Sequence, residues 1–185
     1  GELVARTIRE GEALPGSFAE VYLDALRRLA SDPRWRIREA VATALQLWGD
    51  EDVEGQLVEM SVWAAGNRLE QRAAVAALCE PRLLASPETA RAVLALLDRV
   101  TAGLVDAPDR RSDAFKTLRQ ALGYAWSVAV VALPDEGKPL MEKWLRNADP
   151  DVRWIMRENL GKKRLASMDA AWLAQQIAGL LERNQ

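Results

Sequence analysis

Four arginines stand in equivalent surroundings, and their spacing constrains the architecture of this chain more than any other feature. Arg38, Arg72, Arg119 and Arg153 are separated by 34, 47 and 34 residues. One position before them stand Ile37, Gln71, Leu118 and Val152. Three positions after stand Val41, Val75, Leu122 and Met156, and seven after stand Leu45, Cys79, Trp126 and Leu160. Offsets of −1, +3 and +7 fall on one face of an α-helix, so each anchor heads a helix with a single apolar stripe. Ala42, Ala76 and Gly123 stand at +4 in the first three units, small enough to let a neighbouring helix come close. Upstream of the anchors lie Asp32, Asn67, Asp113 and Asp149, residue types that cap helix N-termini. A helix pair with one apolar face cannot bury it alone, so successive pairs must stack.

Start and stop signals divide the chain into nine predicted helices, and no segment shows strict two-residue alternation. Ser17 and Glu20 form a capping box for the first, which runs to Ala30 and stops at Asp32-Pro33. The second runs from Arg34 to Trp48 and is broken by Gly49-Asp50; the third covers 51–65. Asn67 and Glu70 cap the fourth, which ends near Cys79. Ser86 caps a fifth helix running to Val105, and the sixth covers Asp113–Ala132. Pro134–Pro139 reads as a turn or a weak helix start before the seventh; Asp149-Pro150 opens the eighth, which ends at Leu160. Gly161–Arg164 reads as a link to a ninth. The expectation is an all-α fold in one domain over 1–185. It has an N-terminal extension (1–16), helix pairs at 17–48, 50–80, 87–132 and 138–161, and a closing helix at 168–182.

Composition narrows the chemistry. The chain has no His and one Cys among 185 residues. Imidazole acid–base catalysis is therefore absent, as is an intrachain disulfide. No Gly-rich phosphate loop or CxxC pair is present. Catalytic, cofactor-binding and metal-ligating residues are all expected to be none. Asp50, Glu51, Asp52 and Glu54 lack the alternating ligands and central Gly of a calcium loop and read as favourable charge at a helix N-terminus. No apolar run is long enough to cross a membrane, no signal peptide is recognisable, and the lone thiol fits a cytoplasmic setting. The net charge of −2 hides a gradient, with an acidic excess of five over 49–113 and a basic excess of three over 114–185.

Asp149-Pro150-Asp151-Val152-Arg153, followed by Met156, Asn159 and Leu160, resembles the HEAT-repeat family of armadillo-like α-solenoids. Asp32-Pro33, followed by Ile37-Arg38, Val41, Ala44 and Leu45, resembles it more loosely. The second and third units depart from the pattern, since neither has Asp-Pro and Gln71 replaces the aliphatic residue. The resemblance covers roughly 17–165. It implies a right-handed solenoid of about four HEAT-like pairs, and a binding habit rather than a reaction. It also implies that Arg38, Arg72, Arg119 and Arg153 reach turn residues of neighbouring repeats, with Asp32, Asn67, Asp113 and Asp149 as the structural partners.

Two groups of residues read as a binding surface. Trp35 sits between Arg34 and Arg36, and Trp154 occupies a position held elsewhere by Glu39, Ala73 and Gln120. A Trp at a position that is polar or small in the other units suits a contact surface. Near Trp154 lie Arg157, Lys162, Lys163 and Arg164, part of a basic run suited to an acidic or phosphate-bearing partner. The alternatives are that Trp154 covers the core of the last repeat and that the basic run is a solvated face. Cys79, in the apolar column, reads as a small hydrophobe.

The functional expectation is a non-enzymatic interaction or scaffold module with a protein partner and no membrane, as a monomer or part of a larger assembly. The second reading takes nucleic acid as partner. The stretch from Trp63 to Val75 is similar in flavour to the HEAT-like alkylpurine DNA glycosylases, which need no His. Their Trp-Asp-rich catalytic stretch matches no segment here, so no catalytic residue carries over.

Overall fold

The computed structural model describes residues 17–182, with side chains over 21–181. The extension 1–16 and the Ser17–Glu20 capping box lie outside these residues. All regular structure among the described residues is helical. In chain order it comprises α1 (Ser17–Ala30), α2 (Trp35–Glu51), α3 (Val53–Trp63), α4 (Arg68–Leu78), a 3-10 turn (Pro81–Leu84), α5 (Pro87–Ala102), α6 (Asp113–Ala132), α7 (Pro134–Leu145), α8 (Pro150–Leu160), α9 (Lys163–Met168) and α10 (Ala170–Glu182).

Local chemistry places most of the starts. Asn67 accepts from the N–H groups of Leu69 and Glu70, and the Glu70 carboxylate accepts from the Asn67 N–H, closing the capping box of α4. Ser86 caps α5 through Thr89 N–H, with Pro87 at the first helical position. Asp149 caps α8 through the N–H groups of Asp151 and Val152, with Pro150 behind it.

Packing follows the sequence stripes. α2 packs on α4, α4 on α6, and α6 on α8. A second row runs from α3 to α5 to α7 and on to α10. Chain neighbours join the rows: α1 packs on α2, α3 on α4, α5 on α6, and α7 on α8. One apolar core runs through the whole stack from Ala30 to Leu180. Both stripe columns are buried, namely Val41, Val75, Leu122 and Met156, and Leu45, Cys79, Trp126 and Leu160. In the −1 column, Leu118 and Val152 are fully buried, whereas Ile37 and Gln71 are half-buried.

Several boundaries differ from expectation for identifiable reasons. Gly49-Asp50 does not break α2, which continues to Glu51. Gly49 is buried against the Gln56 amide, and a Cβ there would lie 2.4 Å from Gln56 Oε1. This glycine therefore permits a close helix approach rather than a turn. The break falls at Asp52, whose carboxylate accepts from Gly55 N–H and caps α3. α5 ends at Ala102, not Val105. Of the two readings left open for Pro134–Pro139, the helix start holds, with Pro134 at the first position of α7 and Pro139 inside it. Pro139 costs the helix the one backbone bond its missing N–H would make. Gly161–Arg164 is not a simple link, because α9 begins at Lys163. Asp169 ends α9 and caps α10 by accepting from Trp172 N–H, so the closing segment is two helices.

Candidate interaction surface

Two of the four anchor arginines, Arg72 and Arg119, join neighbours in the row α2–α4–α6–α8, and with partners other than those expected. Arg38 donates to the carbonyls of Asp32 (2.6 Å) and Pro33 (3.0 Å) in its own turn. Arg72 reaches back to α2, pairing with Glu39 and donating to the Arg38 carbonyl (3.4 Å). Arg119 reaches forward to Asp151 (2.5 Å), and its guanidinium lies over the Trp154 ring, 4.5 Å from the centroid. Arg153 lies beside Arg146, Asn147 and Leu180, against α10.

The caps are displaced too. Asp32 forms a local clasp with Arg34, accepting from its N–H and its guanidinium. That guanidinium holds the Asp32 carboxyl at about 2. Asn67 caps α4 as expected. Asp113 is not the cap of α6: its side chain is fully exposed beside Lys116, and Ser112 accepts from Phe115 N–H instead. Only Asp149 takes an arginine from elsewhere in the stack, and that arginine is Arg110, not an anchor.

Ion pairs that tie one helix pair to the next therefore come largely from positions outside the register. Arg27 of α1 pairs with Glu70 of α4 (3.0 Å). Arg68 binds Asp109 through two nitrogens (3.0 and 3.1 Å) and lowers its pKa. Arg110 pairs with Asp149 and Asp151. Burial works against the Asp149 carboxylate, yet the Arg110 guanidinium and three backbone N–H groups outweigh it and lower its pKa. These residues could have been found only by asking which turn residues lie one repeat apart in space, not in sequence.

The two halves of the expected binding surface do not form one patch of tryptophans. Trp35 opens α2 and is 61% exposed, with the Arg36 guanidinium 5.6 Å from its ring centroid. Trp154 is half-buried, packed against the core and wedged onto Gly123, where a Cβ would lie 3.1 Å from its ring. It covers the core between α6 and α8 beneath Arg119. Arg157 and Lys163 are exposed, and Lys162 lies 4.0 Å from Glu158. Arg164 lies over the exposed Tyr124, donating to its hydroxyl (2.6 Å) with its guanidinium 4.5 Å from the ring centroid.

A groove over α4 links Trp35 to Tyr124. One hollow, with a volume of about 360 Å³, is lined by Trp35, Arg38, Glu39 and Arg72 on one side and by Thr117, Gln120 and Ala121 of α6 on the other. A second, of about 230 Å³, continues past Gln46, Ala76, Cys79 and Glu80 to Ala121, Tyr124 and Ala125. They meet at Arg72 and Ala121. The hollow is open because α4 presents Ala76 there, where a larger side chain would fill the gap between α2 and α6. Tyr124, Gln120 and Ala121 were not singled out by the sequence, although Ala76 at the small +4 position was the available signal.

One edge of the groove is formed by Cys79. This cysteine is buried, and desolvation pushes its thiol up to about 12, so no thiolate forms near neutral pH. Among the described residues no cluster of three His, Cys, Asp or Glu could hold a metal ion, and no helix is long and apolar enough to cross a membrane. The Trp63–Val75 stretch is structural. Trp63 is buried and donates to Glu59 (2.7 Å), and Arg68 and Arg72 are engaged as described. No family model matches the chain, and neither the curated proteins nor the solved structures yield a match.

Proposed function

We propose that this chain is an interaction module: a right-handed α-solenoid of HEAT-like pairs that binds a protein partner through the α2–α4–α6 face. The observation that carries this reading is the groove over α4, two adjoining hollows between helices of one row that share Arg72 and Ala121, with a small-residue floor and an exposed Trp35 and Tyr124 at its two ends. The order of helix contacts, pair upon pair along the chain, supports the solenoid. Exposed aromatic side chains beside small residues supply the anchor-and-pocket pairing on which protein interfaces concentrate their binding energy. A cytoplasmic setting, in keeping with a single buried thiol, belongs to the same proposal.

Panning a displayed random-peptide library on the chain tests it. The expected result is enrichment of clones that bind the wild type and not Ala121→Arg, whose side chain would block the junction of the two hollows. Failure to enrich any clone sensitive to Ala121→Arg would overturn this reading.

A further inference from the structure

Charge in and around the groove is distributed unevenly in a way that selects among partners. Its two carboxylates are both occupied, since Glu39 pairs with Arg72 and Glu80 with Arg82. Asp32, at the Trp35 end, is held by Arg34. The cations are less fully matched. Among the described residues no carboxylate pairs with Arg36 or Arg164, and Arg38 feels the Asp32 carboxylate without bonding to it. Arg36 lies over Trp35, Arg38 is bonded only to backbone carbonyls, and Arg164 is bonded to a phenol. Each end of the groove thus carries the same device, an exposed aromatic ring with a guanidinium over it and no carboxylate to neutralise that guanidinium.

We infer that the groove takes a short acidic peptide segment with an apolar residue at its centre. This rests on the interaction reading above and names its partner. The apolar side chain fits the floor made by Ala76, Ala121 and Ala125 beside Tyr124. The flanking carboxylates reach Arg36 and Arg38 at one end and Arg164 at the other. Guanidinium groups suit this task because their planar fork matches a carboxylate, and stacking on a ring fixes their orientation beforehand. The separation of α2 from α6 across α4 is on the order of 20 Å, two helix–helix spacings. That is roughly the span of six extended residues. Trp154 takes no part, because Arg119 and Gly123 bury one face of it in the α6–α8 contact.

Fluorescence anisotropy with defined probes decides the matter. The probe is a labelled peptide in which one Leu is flanked on each side by two Glu. The comparisons are the same peptide with Gln or Lys for every Glu, and a single-stranded thymidine oligonucleotide. The Glu peptide is expected to bind and to weaken as salt rises. It is expected to lose about tenfold or more in affinity with either Arg36→Glu or Arg164→Glu, and all measurable binding with Ala121→Arg. Arg36 is exposed, so Arg36→Glu keeps the fold, and a thermal melt confirms that for each variant. If the Gln or Lys peptide binds as tightly at a site sensitive to Ala121→Arg, the acidic assignment is wrong while the interaction module stands. If the oligonucleotide binds as tightly and with the same sensitivity, the partner is nucleic acid and the inference is overturned. Binding of the Glu peptide that ignores all three substitutions, or no binding at all, overturns it as well.

Discussion

The contact between α2 and α4 and the contact between α6 and α8 carry the same sequence register, yet they are held by different means. Between α6 and α8 the central polar groups, Asn159 and Asp151, are buried. Asn159 donates to the carbonyls of Leu122 and Ile155 and accepts from Ser127 N–H, each at 2.8 Å. Asp151 is shared by Arg110 and Arg119, and Trp154 lies under the latter. Between α2 and α4 the crossing groups are more exposed on one side: Gln46 is half-buried, and Glu39, though not Arg72, is exposed. Gln46 donates to the Ala76 carbonyl (2.9 Å), and Arg72 pairs with Glu39 at the surface. The large apolar side chains left exposed concentrate on the early elements: Val21, Leu29, Trp35, Val58 and Val62 all lie in α1–α3. A repeat register specifies which face is apolar. It does not specify how strongly two units are joined, because that depends on polar groups outside the register and on whether they are desolvated.

The largest expected effect comes from the core at the later contacts. Trp126 is fully buried, with its indole N–H donating to Thr101 (3.1 Å). Trp126→Ala is expected to cost about 3–5 kcal/mol in denaturant unfolding. Trp35→Ala is expected to cost within about 0.5 kcal/mol, as for other exposed sites. Equal losses would erase the contrast between the regions.

Next comes the buried amide. Asn159→Ala removes three buried hydrogen bonds that join α8 to α6 and leaves a small cavity, and is expected to cost about 2–4 kcal/mol. Gln46→Ala, at the corresponding early contact, leaves one half-exposed carbonyl and is expected to cost about 1 kcal/mol or less. Thermal melts of the two variants side by side measure the difference.

Smaller again is the difference between two anchors. Arg119→Ala removes a charge-assisted bond and the stacking on Trp154 at a partly exposed site, for about 1–2 kcal/mol. Arg38→Ala removes bonds to two carbonyls that water can reach, for less than about 1 kcal/mol. Loss of more stability from Arg38→Ala than from Arg119→Ala would reverse the comparison.

The gentlest probe is acid. Asp109, Asp149, Glu136 and Asp169 all have lowered pKa values through Arg68, Arg110, Arg91 and Lys138 respectively. A lowered carboxyl pKa adds stability that is present above the unfolded-state value of about 4 and is lost as pH falls through the folded-state value. The melting temperature is therefore expected to hold from pH 7 to about 5 and to fall below about 4. Asp32 is lowered as well, but its partner Arg34 sits in the same turn and ties no two units together. Hydrogen exchange at low pH should accordingly loosen α8 before α2, and the opposite order would place the acid-sensitive contacts in the wrong region.

Helix content and the buried face were legible because both are local. Asn67 with Glu70, Ser86 before Pro87, and Asp149 before Pro150 start their helices through bonds made within three residues. The apolar columns at +3 and +7 needed only the helical period to be read. Breaks were less legible, since a glycine such as Gly49 can serve a turn or a close approach, and only the position of Gln56 distinguishes them. The candidate surface was half legible. Trp35 and Arg164 stood out as a Trp and a basic residue, but Tyr124 did not, because nothing near it in sequence shows that α4 is recessed beside it.

By itself, then, the sequence determined an all-helical chain, the residues that turn inward, and a chemistry without imidazole. The tertiary structure decided which carboxylate each arginine meets, why Trp154 is cover rather than contact, and where the groove runs. The reason lies in range. Propensity, capping and periodicity act over one or two turns of a helix, whereas ion pairs such as Arg68–Asp109 and a groove walled by α2 and α6 join residues some forty or more positions apart.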